Sequence, residues 1–398
     1  MTPSSRSAPA ALPWIVFLTA LTAVGPLSTD LYLPAMPAMG AAFAVSVAEV
    51  QATLSVYMVG FAASQLVAGP LSDRFGRRPV MLGGLALYLA AGTVCLFAPE
   101  IGILIAGRFF QALGACCGAV LARAVVRDLY EPEDSVRIMA ALGAAMAIAP
   151  AIGPVLGGWI LVRFGWKAEF AVMVGFAAAI LAVTFSWLRE TNSFRGQASL
   201  SPRAILGNFA VLARDRRFLA YALTMGLVFG GMFAFISGSP FVIIGILKVP
   251  PQRFGFAFVC MVTGLLTGSL AATRLTRILR PDEMIRIGLA VSCTAAAAMA
   301  GCAALGIQTL PAILAPIAGY TLGMGLVMPA CMAAAIGPFP RIAGAASSLL
   351  GFGQGLAAAA SGWVVGLAHD GTTRGLAFTL AGCVVLAALS FLVLSRRR

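Results

Sequence analysis

Two ionisable residues lie inside long apolar stretches of this chain: Asp30, in Thr29-Asp30-Leu31-Tyr32-Leu33-Pro34, and Arg108, in Arg108-Phe109-Phe110-Gln111-Ala112-Leu113-Gly114. A charge among apolar neighbours is costly, so each needs a partner or water, and a carboxyl so placed takes up and gives back a proton as its surroundings change. If the stretches are membrane spans, Asp30 stands about 25 Å along a helix starting at Pro13, and Arg108 about 10 Å along one starting at Ile101. One helix runs outward and the other inward, which puts both residues in the outer half of a core about 30 Å thick. The expectation is an Asp30–Arg108 pair, either a purely structural ion pair or a proton-coupling centre.

A second constellation is Gly69-Pro70-Leu71-Ser72-Asp73-Arg74-Phe75-Gly76-Arg77-Arg78, read as a short loop between two apolar stretches. Basic residues alone would only fix topology. An acid at Asp73 among Arg74, Arg77 and Arg78, with Gly69 and Gly76 for close approach and a tight turn, points to a conformational latch facing a neighbouring Arg or a helix amino terminus near 342–345. A third is Pro150-Ala151-Ile152-Gly153-Pro154-Val155-Leu156-Gly157-Gly158. Its two prolines interrupt the hydrogen-bond ladder and its glycines leave a flat face, which suits a static kink, a hinge or a proton-tight helix interface.

Other chemistry is missing. The single histidine, His369, is beside Asp370 in a stretch that reads as a solvated loop. Eight cysteines show neither paired nor metal-like spacing and read as packing residues, so no metal site is expected. Without a phosphate-cradling Gly-rich motif, a zinc-like His pair or a Ser/His/Asp set, neither an enzyme nor a cofactor is expected. The available drive is an ion gradient, worth about 2.3 kcal/mol per charge at 100 mV.

The elements that must position these residues follow from composition. The chain is 60% apolar and 10% charged, against roughly 25% charged residues in a soluble domain. Its apolar residues fall into twelve runs, near 13–36, 50–71, 79–98, 101–125, 136–161, 170–188, 218–243, 254–272, 285–305, 310–334, 342–368 and 375–394, each long enough to cross a bilayer. Of the 27 Lys and Arg, only Arg108 and the five residues Arg163, Lys167, Lys248, Arg253 and Arg374 fall away from the tails, the loops after even-numbered runs and the run ends that border those loops. The positive-inside rule therefore puts both termini in the cytoplasm. The net charge of +13 is explained by topology and anionic lipid, with no nucleic-acid partner. A polar stretch from Arg189 to Arg217 divides six runs from six, giving bundles at 1–190 and 218–398 joined by a cytoplasmic linker at 191–217.

These residues resemble the major facilitator superfamily and, within it, the bicyclomycin-resistance-type (Bcr/CflA) drug and proton antiporters. Gly69 to Arg78 resembles the family's loop 2-3 motif, Arg108 and Gln111 its span 4 motif, and Pro150, Gly153, Pro154, Gly157 and Gly158 its antiporter motif. Thr29 to Pro34 and Phe235-Ile236-Ser237-Gly238-Ser239-Pro240 are similar to the narrower group's spans 1 and 7. Ala112 departs from the usual Gly of the span 4 motif. The resemblance implies an all-α membrane protein of twelve transmembrane helices in two pseudo-symmetric six-helix bundles. It further implies a monomer of the bacterial inner membrane that exchanges protons for a lipophilic drug by alternating access, with Asp30 and Arg108 as the proton-coupling residues. Tyr32, Tyr57, Gln111, Met232, Phe233, Phe235 and Gln354 are the expected pocket residues, because aromatic, Met and amide groups suit adaptable binding. The alternative is a dedicated transporter of one small metabolite; a channel would need a continuous polar lining that the spans lack.

Overall fold

Where a bilayer offers no water, each backbone N–H and C=O must be satisfied within its own segment, and long apolar runs therefore become helices. The computed structural model describes residues 11–192 and 202–395; Arg6, Arg195 and Arg396 to Arg398 lie outside the described residues. Among the described residues there is no strand, and twelve helices are long and apolar enough to span a membrane. They are numbered here as spans 1 to 12: Leu12–Phe43, Val47–Phe75, Arg77–Leu96, Ile101–Leu129, Glu133–Phe164, Trp166–Trp187, Arg216–Ile246, Pro251–Leu275, Pro281–Ala304, Leu310–Ile336, Pro340–Leu367 and Arg374–Ser395.

The packing repeats between the two bundles. Spans 2 and 3 both lie against span 4, span 1 against span 5, and span 3 against span 6; spans 8 and 9 lie against span 10, span 7 against span 11, and span 9 against span 12. Small residues make these approaches possible. A Cβ on Gly114 would lie 2.3 Å from the Gly84 carbonyl oxygen (spans 4 and 3), and one on Gly323 would lie 2.3 Å from the Gly288 carbonyl oxygen (spans 10 and 9). The bundles meet along two seams related by the same symmetry, span 2 with span 11 and span 5 with span 8.

Element boundaries correct the sequence reading in four places. Span 2 continues in helical form through Gly69, Pro70 and Arg74 to Phe75, so the expected loop shrinks to a break at Gly76, whose φ of +103° suits a residue without a Cβ. Gly69 is not a close-approach residue, since nothing lies within 4 Å of a Cβ added there. Span 6 starts at Trp166, directly after Gly165 at φ +79°, and so takes in Glu169, which the sequence reading left outside the run. The linker contains a helix, Pro202–Arg214.

Candidate functional site

Arg108 is fully buried in span 4, where the neighbouring helices supply it with polar and aromatic contacts. Its Nη1 donates to Gln111 Oε1 at 2.7 Å and its Nη2 to the Ser28 carbonyl oxygen at 2.7 Å. The guanidinium carbon stands 4.4 Å from the Tyr32 ring centroid and 4.2 Å from that of Tyr57, a cation–π sandwich closed by residues of spans 1 and 2. Around it, the hydroxyls of Ser28 and Tyr88 share a short hydrogen bond, and those of Tyr32 and Thr53 lie 3.3 Å apart.

Asp30 is also buried, yet it does not pair with Arg108. Among the described residues the ion pairs are those of Arg77, and the Asp30 carboxylate accepts a hydrogen bond only from the Thr29 hydroxyl, at 3.2 Å. The expected pair is corrected for an angular reason. At about 100° per residue, positions 28 and 30 project from nearly opposite sides of a helix. The Ser28 hydroxyl faces Tyr88 of span 3, while Asp30 faces span 5, where a Cβ on Gly153 would lie 2.9 Å from the Asp30 Cβ.

The glycines of span 5 form two helix contacts, and the helix Pro132–Phe164 runs unbroken through Pro150 and Pro154. Gly153 and Gly157 receive span 1, a Cβ on Gly157 coming 1.8 Å from the Leu31 carbonyl oxygen. Gly158 receives span 8, where a Cβ would meet the Pro251 carbonyl oxygen at 2.2 Å, and Gly255 of span 8 abuts Val155 in return. Asp30 thus sits against span 5, the helix that joins the two bundles. On the face away from the Arg-rich loops the halves are also tied by Gln51, whose Nε2 donates to the Ser237 carbonyl oxygen at 3.0 Å, and by Gly366 against Ala48. Spans 4 and 10, by contrast, are not packed along each other.

At the Arg-rich face, Arg77 is buried and holds three acceptors: Asp128 Oδ2 at 2.9 Å from Nε, and Ser72 Oγ and Asp73 Oδ1 from Nη1. Glu190 accepts the backbone N–H groups of Arg77, Arg78, Thr191 and Asn192 at 2.9 to 3.2 Å. Asn192 Nδ2 donates to the Asp73 carbonyl oxygen at 2.9 Å. Arg78 donates to the Phe185 carbonyl oxygen, and Arg74 lies over Phe75. The Asp73 carboxylate is therefore bonded to Arg77 within its own bundle, and the expected contact with 342–345 is not made in this arrangement. Asp73 remains half exposed on that face.

The expected pocket residues divide. Tyr32, Tyr57 and Gln111 gather around Arg108. Phe233 lies where span 7 meets Ser55 of span 2 and Gly362 of span 11. Phe235 instead packs into its own bundle against Phe258, at 5.9 Å between centroids, and Gln354 meets Met328 of span 10. Met232 is buried in span 7. His369 is half-buried: its ring faces Phe241 at 6.1 Å in an open cavity of about 420 Å³ shared with Pro37, Gly40 and Val45.

This arrangement of twelve helices, two symmetric seams and a Gly-lined span 5 coincides with a match of residues 18–362 to the family model of the Major Facilitator Superfamily. The chain belongs to that family. This facilitator is 30% identical over 386 residues to a bicyclomycin resistance protein homolog of Haemophilus influenzae, covering 96% of each chain. It is 30% identical over 372 residues to the multidrug resistance protein MdtL of Escherichia coli O6:K15:H31, covering 93% of this chain and 92% of that one. Both agree with the bicyclomycin-resistance-type group expected from the motifs. Among solved structures, the fold matches a bacterial homolog of the human lysosomal transporter Spinster in an inward-facing conformation, with a TM-score of 0.76, 13% identity and coverage of 97% and 98%. The nucleoside transporter NupG matches with a TM-score of 0.74, 14% identity and coverage of 96% and 99%. The facilitator is thus a multi-pass membrane transporter rather than an enzyme.

Sequence reasoning missed Ser28, Gln51, Asp128, Glu190 and Glu169. Ser28 and Gln51 carry no charge to mark them inside a span. Glu190 and Asp128 had charge as a signal, but their partners are backbone amides and a distant Arg, which only the folded chain brings near.

Proposed function

We propose that this facilitator exports small lipophilic drugs or antibiotics in exchange for protons, by alternating access between its bundles. The observation that carries the reading is Asp30, a buried carboxyl without a cationic partner, set at the contact of span 1 with the bundle-joining span 5. Such an acid is neutral while dry and ionises when water reaches it, which is what a proton carrier requires. Arg108 organises the adjoining wall, and Tyr32, Tyr57, Gln111, Met232, Phe233, Phe235 and Gln354 remain the residues offered to substrate. On this reading the Arg-rich face is cytoplasmic, with both termini on that side, and the protein is a monomer of the bacterial inner membrane. No cofactor is needed, since the proton gradient supplies the drive. The resistance-protein names of the relatives support the drug class.

A dedicated metabolite transporter is the second reading. One observation favours it: Arg108 Nε, Gln111 Nε2 and the Tyr57 hydroxyl are buried without partners, a donor set suited to one ligand rich in acceptor oxygens. A drug-susceptibility panel on an efflux-deficient bacterium expressing the chain separates the two. Resistance to several lipophilic compounds supports the exporter, and resistance to none supports the metabolite reading. For the coupling, a pH indicator follows protons released when drug is added to purified protein. Asp30→Asn abolishes that release while a neutral drug still binds. Undiminished release from this variant places the proton on another group.

A further inference from the structure

Glu169 lies in the first turn of the span 6 helix and is completely buried, with neither carboxylate oxygen hydrogen-bonded. It is enclosed by protein, not lipid. Phe170 and Met173 on the next turn are fully buried, and an aromatic row covers this end of the bundle: Phe43 to Trp166 at 5.3 Å, Trp166 to Phe170 at 6.1 Å, and Phe170 to Tyr32 at 5.9 Å between centroids.

Every ionisable group that the packed elements bring to this end is engaged elsewhere. Span 6 packs against spans 1, 3 and 5. From span 1 come Asp30, bonded to Thr29, and Tyr32, beside Thr53. Span 3 brings Tyr88, bonded to Ser28, and Cys95, directed at the Leu104 carbonyl oxygen. Arg163 of span 5 lies over Trp159, and Lys167 of span 6 itself lies over Trp166. Arg108 is held by Gln111 and Ser28. An ionised Glu169 would thus be a dry, uncompensated charge, so this arrangement holds it as the neutral acid.

The enclosure depends on the contacts that join the bundles on the face away from the Arg-rich loops, the outer seam. The turn Leu33–Ala35 that follows Tyr32 packs both on span 5 and on the Pro240–Ile246 turn ending span 7 in the other bundle. When the bundles part on that face, the Tyr32 turn loses its support, the aromatic row loosens and water reaches Glu169. We propose that Glu169 is a proton-binding site, separate from Asp30, that couples closure of the outer seam to proton uptake from the outer solution. The closed seam binds one more proton than the open one, so acid favours closure and alkali favours opening. The inference rests on alternating access but not on drug exchange.

Two measurements made without drug test it. Infrared spectra of the purified protein at neutral pH show a protonated-carboxyl carbonyl band that is lost in Glu169→Gln and kept in Asp30→Asn. Spin labels on cysteines introduced at Ala42 and Gln308, both exposed on the outer face, report the open fraction in a background with the eight native cysteines replaced. Across the titration the open-to-closed ratio of the parent rises by up to about tenfold per pH unit for each proton linked. Glu169→Gln and the apolar Glu169→Leu both remove one proton from that slope and favour the closed seam, whereas Asp30→Asn keeps the Glu169 share. An unchanged carboxyl band in Glu169→Gln, or an unchanged slope in both Glu169 variants, overturns the proposal. Failure of drug-induced proton release in the parent protein bears on the antiport reading and leaves these outcomes as they are.

Discussion

Arg108 reaches span 1 through the carbonyl oxygen of Ser28, 2.7 Å from Nη2, and so grips the backbone of the helix that carries Asp30 without neutralising the Asp30 side chain. Span 1 is thereby held on one side by a charge-assisted hydrogen bond and on the other by the glycines of span 5. The Asp30 carboxyl is left free of a fixed counter-ion.

Because the two side chains are not paired, Arg108→Ala is expected to leave the proton affinity of Asp30 nearly unchanged. It should still impair transport by at least about tenfold, since Tyr32 and Tyr57 lose the cation between them and Ser28 loses its donor. Arg108→Lys should rescue poorly, because an ammonium cannot reproduce the planar, stacked fork. Titration of drug-induced proton release in the Arg108 variants checks this, and a large shift in its midpoint would show electrostatic coupling after all.

Glycine substitutions should rank by what their new Cβ meets. Gly157→Ala drives a methyl into the Leu31 carbonyl and Gly158→Ala into the Pro251 carbonyl, each costing about 1–3 kcal/mol or more by overpacking. Gly69→Ala adds a methyl in open space within a helix and should be neutral or stabilising by up to about 1 kcal/mol. Thermal unfolding of the detergent-purified variants gives the order directly.

Glu190 gathers four backbone N–H groups at the junction of the span 2–3 break and the linker. Removing the acceptor in Glu190→Ala should destabilise the protein by about 1.5–3 kcal/mol. Gly76→Ala should act similarly, because its Cβ would overlap the Glu190 carboxylate and its φ is +103°. If the melting temperature of Glu190→Ala equals that of the parent, these bonds are not holding the junction.

Asp73 should matter for rate more than for stability. Its bond to Arg77 is half exposed, so Asp73→Asn costs less than about 1 kcal/mol. On the latch reading transport nevertheless slows, because there the carboxylate leaves Arg77 to meet the start of span 11 as the cytoplasmic side closes. Initial transport rates measured beside drug affinity test the latch, and normal turnover in Asp73→Asn removes that role.

Much of this protein is determined by sequence alone, for a reason particular to membranes. The bilayer core forces each long apolar run into a helix, so composition yields twelve spans, and the placement of Arg and Lys yields an orientation. Depth is legible too, because rise per residue is fixed; Asp30 and Arg108 were both located inside their spans by counting. Azimuth is not. Which way a side chain points depends on the packing of neighbouring helices. Tertiary structure alone turned Asp30 toward Gly153 and the Ser28 carbonyl toward Arg108. The same limit hid Glu169, a residue that reads as a loop acid beside Lys167 until Gly165 starts the helix early and the assembled bundle buries it. Burial is a property of the assembled bundle, which no count of residues along one helix supplies.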